Sequence, residues 1–172
     1  TFQAGLAQFE LPVVSRRNRQ TYLNEIAVLL AGVAAEDIWL GGVSEGAGGA
    51  GSDLAIATRL ATLIETSMGM GMTLRYRDAE NDRDLEQLRR NDQRLCDRID
   101  DILDQQSKRA KAILVDNQDL QQAIVSELLE AGRLTPERFS ELVRKHPHRS
   151  RYRETSSPTP PGRPLRFRVD DA

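Results

Sequence analysis

The sequence is short of several residue types, and each shortage removes a class of function. It has one cysteine, Cys96, in 172 residues. That excludes an internal disulfide framework and a cysteine-rich zinc site. Its two histidines, His146 and His148, flank Pro147, so they cannot form a metal-binding pair one helical turn apart. Aromatic residues make up only 5% of the chain. The core must therefore rest on Leu, Ile, Val and Ala, as in packed helices rather than an antiparallel sandwich. The longest nearly unbroken apolar run, residues 26–35, is ten residues long, whereas a membrane-spanning helix needs roughly 18 or more. No signal-peptide pattern opens the chain. Twenty-four Lys and Arg against 26 Asp and Glu give a net charge of -2, which supplies no basic field for nucleic acid.

What remains reads as a mainly α chain with at most one strand. Residues 7–11, AQFEL, alternate around Phe9 and Leu11 and suggest a short strand closed by Pro12. Ser15 is a candidate N-cap. Across residues 16–39 Leu23, Ile26, Leu30, Val33 and Ile38 recur at helical spacing. After a glycine-rich loop, Ser52 caps a helix to about Met68, with Leu54, Ala57, Ala61 and Ile64 on one face, ended by Gly69 and Gly71. A single long helix is expected over residues 82–115, on Leu85, Leu88, Leu95, Ile99 and Ile102, with Asp92 and Gln106 as polar positions on the seam. Asp116 or Asn117 starts a further helix that stops at Gly132, and Thr135-Pro136 starts the last, to Lys145.

Composition then changes. Residues 146–172 hold six Arg, three acids and most of the prolines, which predicts a flexible tail following a helical domain over residues 1–145. The chain opens at Thr1 without a methionine, inside what reads as a running element, and is expected to be a piece of a longer protein.

Chemistry could reside in the loop before the second helix. Gly46, Gly48 and Gly51 satisfy G-x-G-x-x-G ahead of a helix. A dinucleotide fingerprint, however, follows a strand, and a phosphate-cradling P-loop carries a lysine after its glycines. Neither condition holds. Asp53, in the first turn of that helix, fits either a helix-start acid favoured by the dipole or a metal-ligating carboxylate.

Several segments in order resemble one family. Gly32-Val33-Ala34-Ala35-Glu36-Asp37 is similar to G-x-x-A-E-E. Gly49-Ala50-Gly51-Ser52-Asp53-Leu54, followed by Ala57-Thr58 and Met68-Gly69-Met70, is similar to T-G-A-x-x-D-L-x-x-A-T and the Gly-Met or Gly-Phe helix end beyond it. The stretch from Ser107 to Leu114 is similar to Y-x-R-A-x-x-I-L. Over residues 7–145 the chain thus resembles the proteolytic domain of the FtsH-type ATP-dependent zinc metalloproteases. Two departures stand out. Gly51-Ser52 stands where the family often has Ser-Asn. The family's H-E-x-x-H zinc helix is absent, and the resemblance places it upstream of AQFEL.

The resemblance implies metal-assisted peptide hydrolysis. Zinc lowers the pKa of a bound water, a glutamate takes its proton, and the hydroxide attacks a peptide carbonyl. Asp53 matches the aspartate that supplies the third zinc ligand; Glu36 is a second candidate, better suited to orienting the site. The histidines would come from upstream, as would a module binding ATP and Mg. The resemblance further implies unfolded or tagged proteins as substrates, a ring of six subunits, and a cytoplasmic placement, at the inner face of the bacterial inner membrane where an upstream anchor is present. The segment by itself is expected to be inactive. A different class also fits the pattern: a non-catalytic helical adaptor or scaffold that binds a partner along the seam from Leu85 to Ile113. An H-E-x-x-H preceded by a P-loop in the coding sequence upstream separates the two.

Overall fold

A computed structural model describes residues 17–42, 48–79 and 81–147. Among them are seven helices and no strand: α1 (Arg19–Leu29), α2 (Ala31–Leu40), α3 (Asp53–Thr66), α4 (Asp82–Asn91), α5 (Gln93–Asp116), α6 (Gln118–Ala131) and α7 (Pro136–Lys145). The mainly α expectation holds. The strand expected over residues 7–11 and the tail after Pro147 lie outside the described residues; Ser15 does too, but the first helix begins only at Arg19 with Asn18 as its cap, so Ser15 is not its N-cap.

Helices α1, α3 and α5 enclose the core. Their apolar stripes meet: Leu23, Ile26 and Leu30 from the first, Ala57, Leu60, Ala61 and Ile64 from α3, Leu95, Ile99 and Ile102 from α5. Ile26, Ala57, Ala61, Ile64 and Leu95 are fully shielded. The alanines let α3 approach its neighbours closely, and branched residues fill the remaining space. Helix α2 lies along α5, α4 against α3 and α5, and α6 pairs with α7.

The caps follow the sequence chemistry. Asn18 and Thr21 form a reciprocal capping box at α1, the Asn18 side chain accepting the Thr21 amide at 2.9 Å. Ser52 Oγ accepts from the Ala55 amide at 3.2 Å and Thr135 Oγ1 from the Arg138 amide at 3.3 Å. Gly132, with φ 69°, closes α6 in the left-handed region.

Two expected helices are each broken once. The first breaks at Leu30, whose ψ of -6° departs from helical values before α2 resumes. The second breaks at Asp92, which is extended at φ -140° and ψ 92°. Asp92 is thus no seam residue of one long helix. Its side chain accepts the Leu95 amide at 3.0 Å and starts α5 anew, as a short acidic side chain does when it competes for backbone groups. Arg77 fixes it there, 2.6 Å from its carboxylate. Gln106 does sit on the buried seam.

The second half of the chain packs less tightly. Helix α6 has no buried residue, and Leu129 is 82% exposed. Arg138 of α7 ties the α6–α7 pair by gripping both oxygens of Glu127 at 2.9 Å, and it also takes Glu141 of its own helix at 2.8 Å; Leu142 of α7 is buried.

Candidate metal centre

Asp53 is the first residue of α3 and is exposed. The backbone delivers it there by a glycine turn. Gly49 and Gly51 have φ of 110° and 82°, a region other residues enter only with strain. The Ser52 amide donates to the Gly49 carbonyl at 3.2 Å, and the Ser52 hydroxyl caps the helix. These glycines shape a turn into a helix start, with Asp53 beside the positive end of the helix dipole.

Glu36 is half-buried in the middle of α2. The preceding Ala34 is fully buried, which sets the rotation of the helix. Its neighbour Asp37 pairs with Lys111 of α5, and Asn24 of α1 accepts from Arg109 of α5 at 2.6 Å. Helices α1 and α2 are therefore referenced to α5, and α3 to both α1 and α5 through the core.

The consequence is that Glu36 and Asp53 line one surface depression of about 330 Å³, with Leu29, Gly32, Val33, Gly51 and Ser52. Two carboxylates share a wall otherwise made of small or aliphatic residues and the Ser52 hydroxyl side chain. Gly32 leaves the α2 side of the depression open, since a Cβ there would meet nothing within 4 Å.

The donor chemistry suits a divalent cation in part. Carboxylate oxygens are ordinary zinc ligands, but a catalytic zinc takes three protein ligands and keeps an open position. Among the described residues, no three His, Cys, Asp or Glu side chains gather closely enough to hold a metal. His146 lies elsewhere, beside Asp116, Asn117 and Asp119 in a second, smaller depression. Asp53 and Glu36 could therefore offer carboxylate oxygens to a cation, but the described residues do not make up a complete ligand set.

The family model of peptidase family M41 matches residues 3–142. The chain belongs to peptidase family M41. It is similar to the ATP-dependent zinc metalloprotease FtsH of Halothermothrix orenii, 32% identical over 142 residues, covering 74% of the chain and 22% of that protein. It is also similar to the ATP-dependent zinc metalloprotease FtsH of Cupriavidus metallidurans, 29% identical over 157 residues, covering 84% of the chain and 24% of that protein. The chain spans about a quarter of the length of these curated relatives. Among the described residues, no helix is long and apolar enough to cross a membrane.

Sequence reasoning missed an ionic cluster at the other end of α3. Glu65, with its side chain 1% exposed, accepts from Arg98 Nε of α5 at 2.8 Å and from the Met72 amide at 3.2 Å. A signal was available: Glu65 falls four residues after Ala61, on the apolar stripe, where a charge requires a partner. The lone cysteine, Cys96, serves neither a disulfide nor a metal among the described residues. It is half-buried at the α4–α5 break, its thiol donating to the Arg89 carbonyl at 3.1 Å. Of the methionines, Met68 and Met70 pack on the core and Met72 stands in solvent.

Proposed function

We propose that this chain is the distal part of the peptidase domain of an ATP-dependent zinc metalloendopeptidase, and that Asp53 supplies its carboxylate to the zinc. The observation that carries this reading is the shared depression: in a chain of peptidase family M41, Asp53 and Glu36 both line it. When bound, zinc would polarise a peptide carbonyl and make water a competent nucleophile near neutral pH.

The chain's own residues have distinct tasks in this reading. The Ser52 cap fixes the α3 start, so the Asp53 carboxylate needs little reorganisation to bind a cation. Glu36, half-buried beside it, orients the ligands by hydrogen bonding and adds negative charge that favours the cation. The histidine ligands and the glutamate base come from an H-E-x-x-H segment in the full-length protein, and ATP and Mg bind a separate module there. Substrates are unfolded or tagged proteins. The exposed apolar residues of α6 and α7, Val125, Leu128, Leu129 and Phe139, are the surface a ring of subunits would cover.

The test is degradation of an unfolded protein such as casein by the full-length protein with ATP. The reading expects cleavage that a zinc chelator abolishes and added zinc restores. Cleavage indifferent to the chelator, or an absence of cleavage in a protein that retains bound zinc, contradicts it.

A further inference from the structure

Between α3 and α4 the chain makes an excursion over residues 67–77, and both of its ends return to the same place. On the outgoing side, the Met72 amide donates to Glu65 at 3.2 Å, and Arg19 Nε of α1 donates to the Met70 carbonyl at 3.0 Å. On the returning side, the Arg77 amide donates to the Thr66 carbonyl at 3.0 Å, and Ser67 Oγ donates to the Arg77 carbonyl at 2.9 Å. Besides the Arg19 contact and the ion pair of Arg77 with Asp92, the two sides thus share three successive residues, Glu65, Thr66 and Ser67, at the end of α3.

The middle is different. Met72, Leu74 and Tyr76 are 79%, 93% and 72% exposed. Such a segment, with close ends and few buried contacts, lies at the low-stability end of a fold.

Glu65 is the one buried charge in the attachment. Its carboxylate has left water entirely, a condition tolerated because Arg98 pairs with it and the Met72 amide donates to it. Gly71 presses against it: a Cβ at that position would lie 2.7 Å from Glu65 Cα and 2.8 Å from Oε2. Only glycine admits so close an approach of the segment to α3.

We propose that residues 67–77 form a strap that opens and closes as one unit, with Glu65 as its latch. In the closed state Glu65 and Gly71 seat the strap, and Met68 and Met70 pack against the core cluster. In the open state both methionines leave that cluster and bare the apolar surface they cover, while the helices remain assembled. The inference stands independently of the proposed protease activity.

Amide hydrogen exchange on the chain tests it, residue by residue, with Glu65→Gln and Gly71→Ala. Glu65→Gln keeps the shape and removes the charge that holds Arg98 and the Met72 amide. The expected result is faster exchange at Met72 and at Arg77 together, by about tenfold or more, with Ile99 and Ile102 of α5 unchanged. Gly71→Ala should give the same pattern by pushing the strap away from the other side. Faster exchange at Met72 alone would show separate contacts rather than a unit, and overturns the proposal. Equal acceleration at Ile99 and Ile102 would show general loosening, and overturns it too. So would loss of folding in both variants, because release of a separate unit leaves the core in place.

Discussion

Asp92 binds Arg77 through one carboxylate oxygen, at 2.6 Å, while the other accepts the Leu95 amide at 3.0 Å and begins α5. One side chain thereby sets a helix break and ties the preceding loop to it. Asp92→Ala should remove both contacts. The expected outcome is a lower urea midpoint with an unchanged dependence on urea, since the loss is local and the unfolded state exposes the same surface. A midpoint equal to that of the wild type would show that the break holds without its cap.

The two halves of the chain should respond differently to truncation. Leu95 is fully buried between α1 and α3, and Leu95→Ala should cost about 2–5 kcal/mol. Leu129 is largely exposed on α6, and Leu129→Ala should change stability by less than about 0.5 kcal/mol in the isolated chain. Equilibrium unfolding of the two variants decides this. Similar costs at both positions would mean that α6 is buried in solution, for instance against another copy.

Much of this fold was legible in the residues. The stripes through Leu23, Ile26 and Leu30, through Ala57, Ala61 and Ile64, and through Leu95, Ile99 and Ile102 are the core. Ser52, Thr135 and Gly132 perform the caps and stops their chemistry suggests. The break at Asp92 was not legible, because an acid on a helical seam reads the same as an acid at a helix start until Arg77 is seen beside it. Glu65 stands on the apolar stripe, which called for a partner, but the partner itself, Arg98, lies 33 residues away on another helix and shows only once α3 and α5 are packed. Asp53 and Glu36 could each be singled out, but that they face one depression depends on how α2 and α3 pack against α5.

Acid should loosen the outer helix pair. Arg138 gripping Glu127 holds its carboxyl below the usual range, and Arg77 does the same to Asp92. A depressed native pKa means that the unfolded chain takes up protons first as pH falls. The stabilisation is complete above roughly pH 5 and is lost as pH drops through the native values. Glu127→Gln should flatten part of the decline in stability between neutral and acid pH. A decline of the same depth in the variant would assign it to other carboxylates.

The most direct test of the proposed centre is zinc content in the full-length protein carrying Asp53→Asn or Glu36→Gln. Asn keeps the shape of the side chain at the α3 start and removes the anionic oxygen. Zinc per subunit and casein degradation should fall together in Asp53→Asn, while ATP hydrolysis is largely kept. Glu36→Gln should lose less, on the order of 10–100-fold in metal affinity. If Asp53→Asn retains one zinc per subunit and full proteolysis, Asp53 is only the acid that favours a helix start, and the centre lies elsewhere.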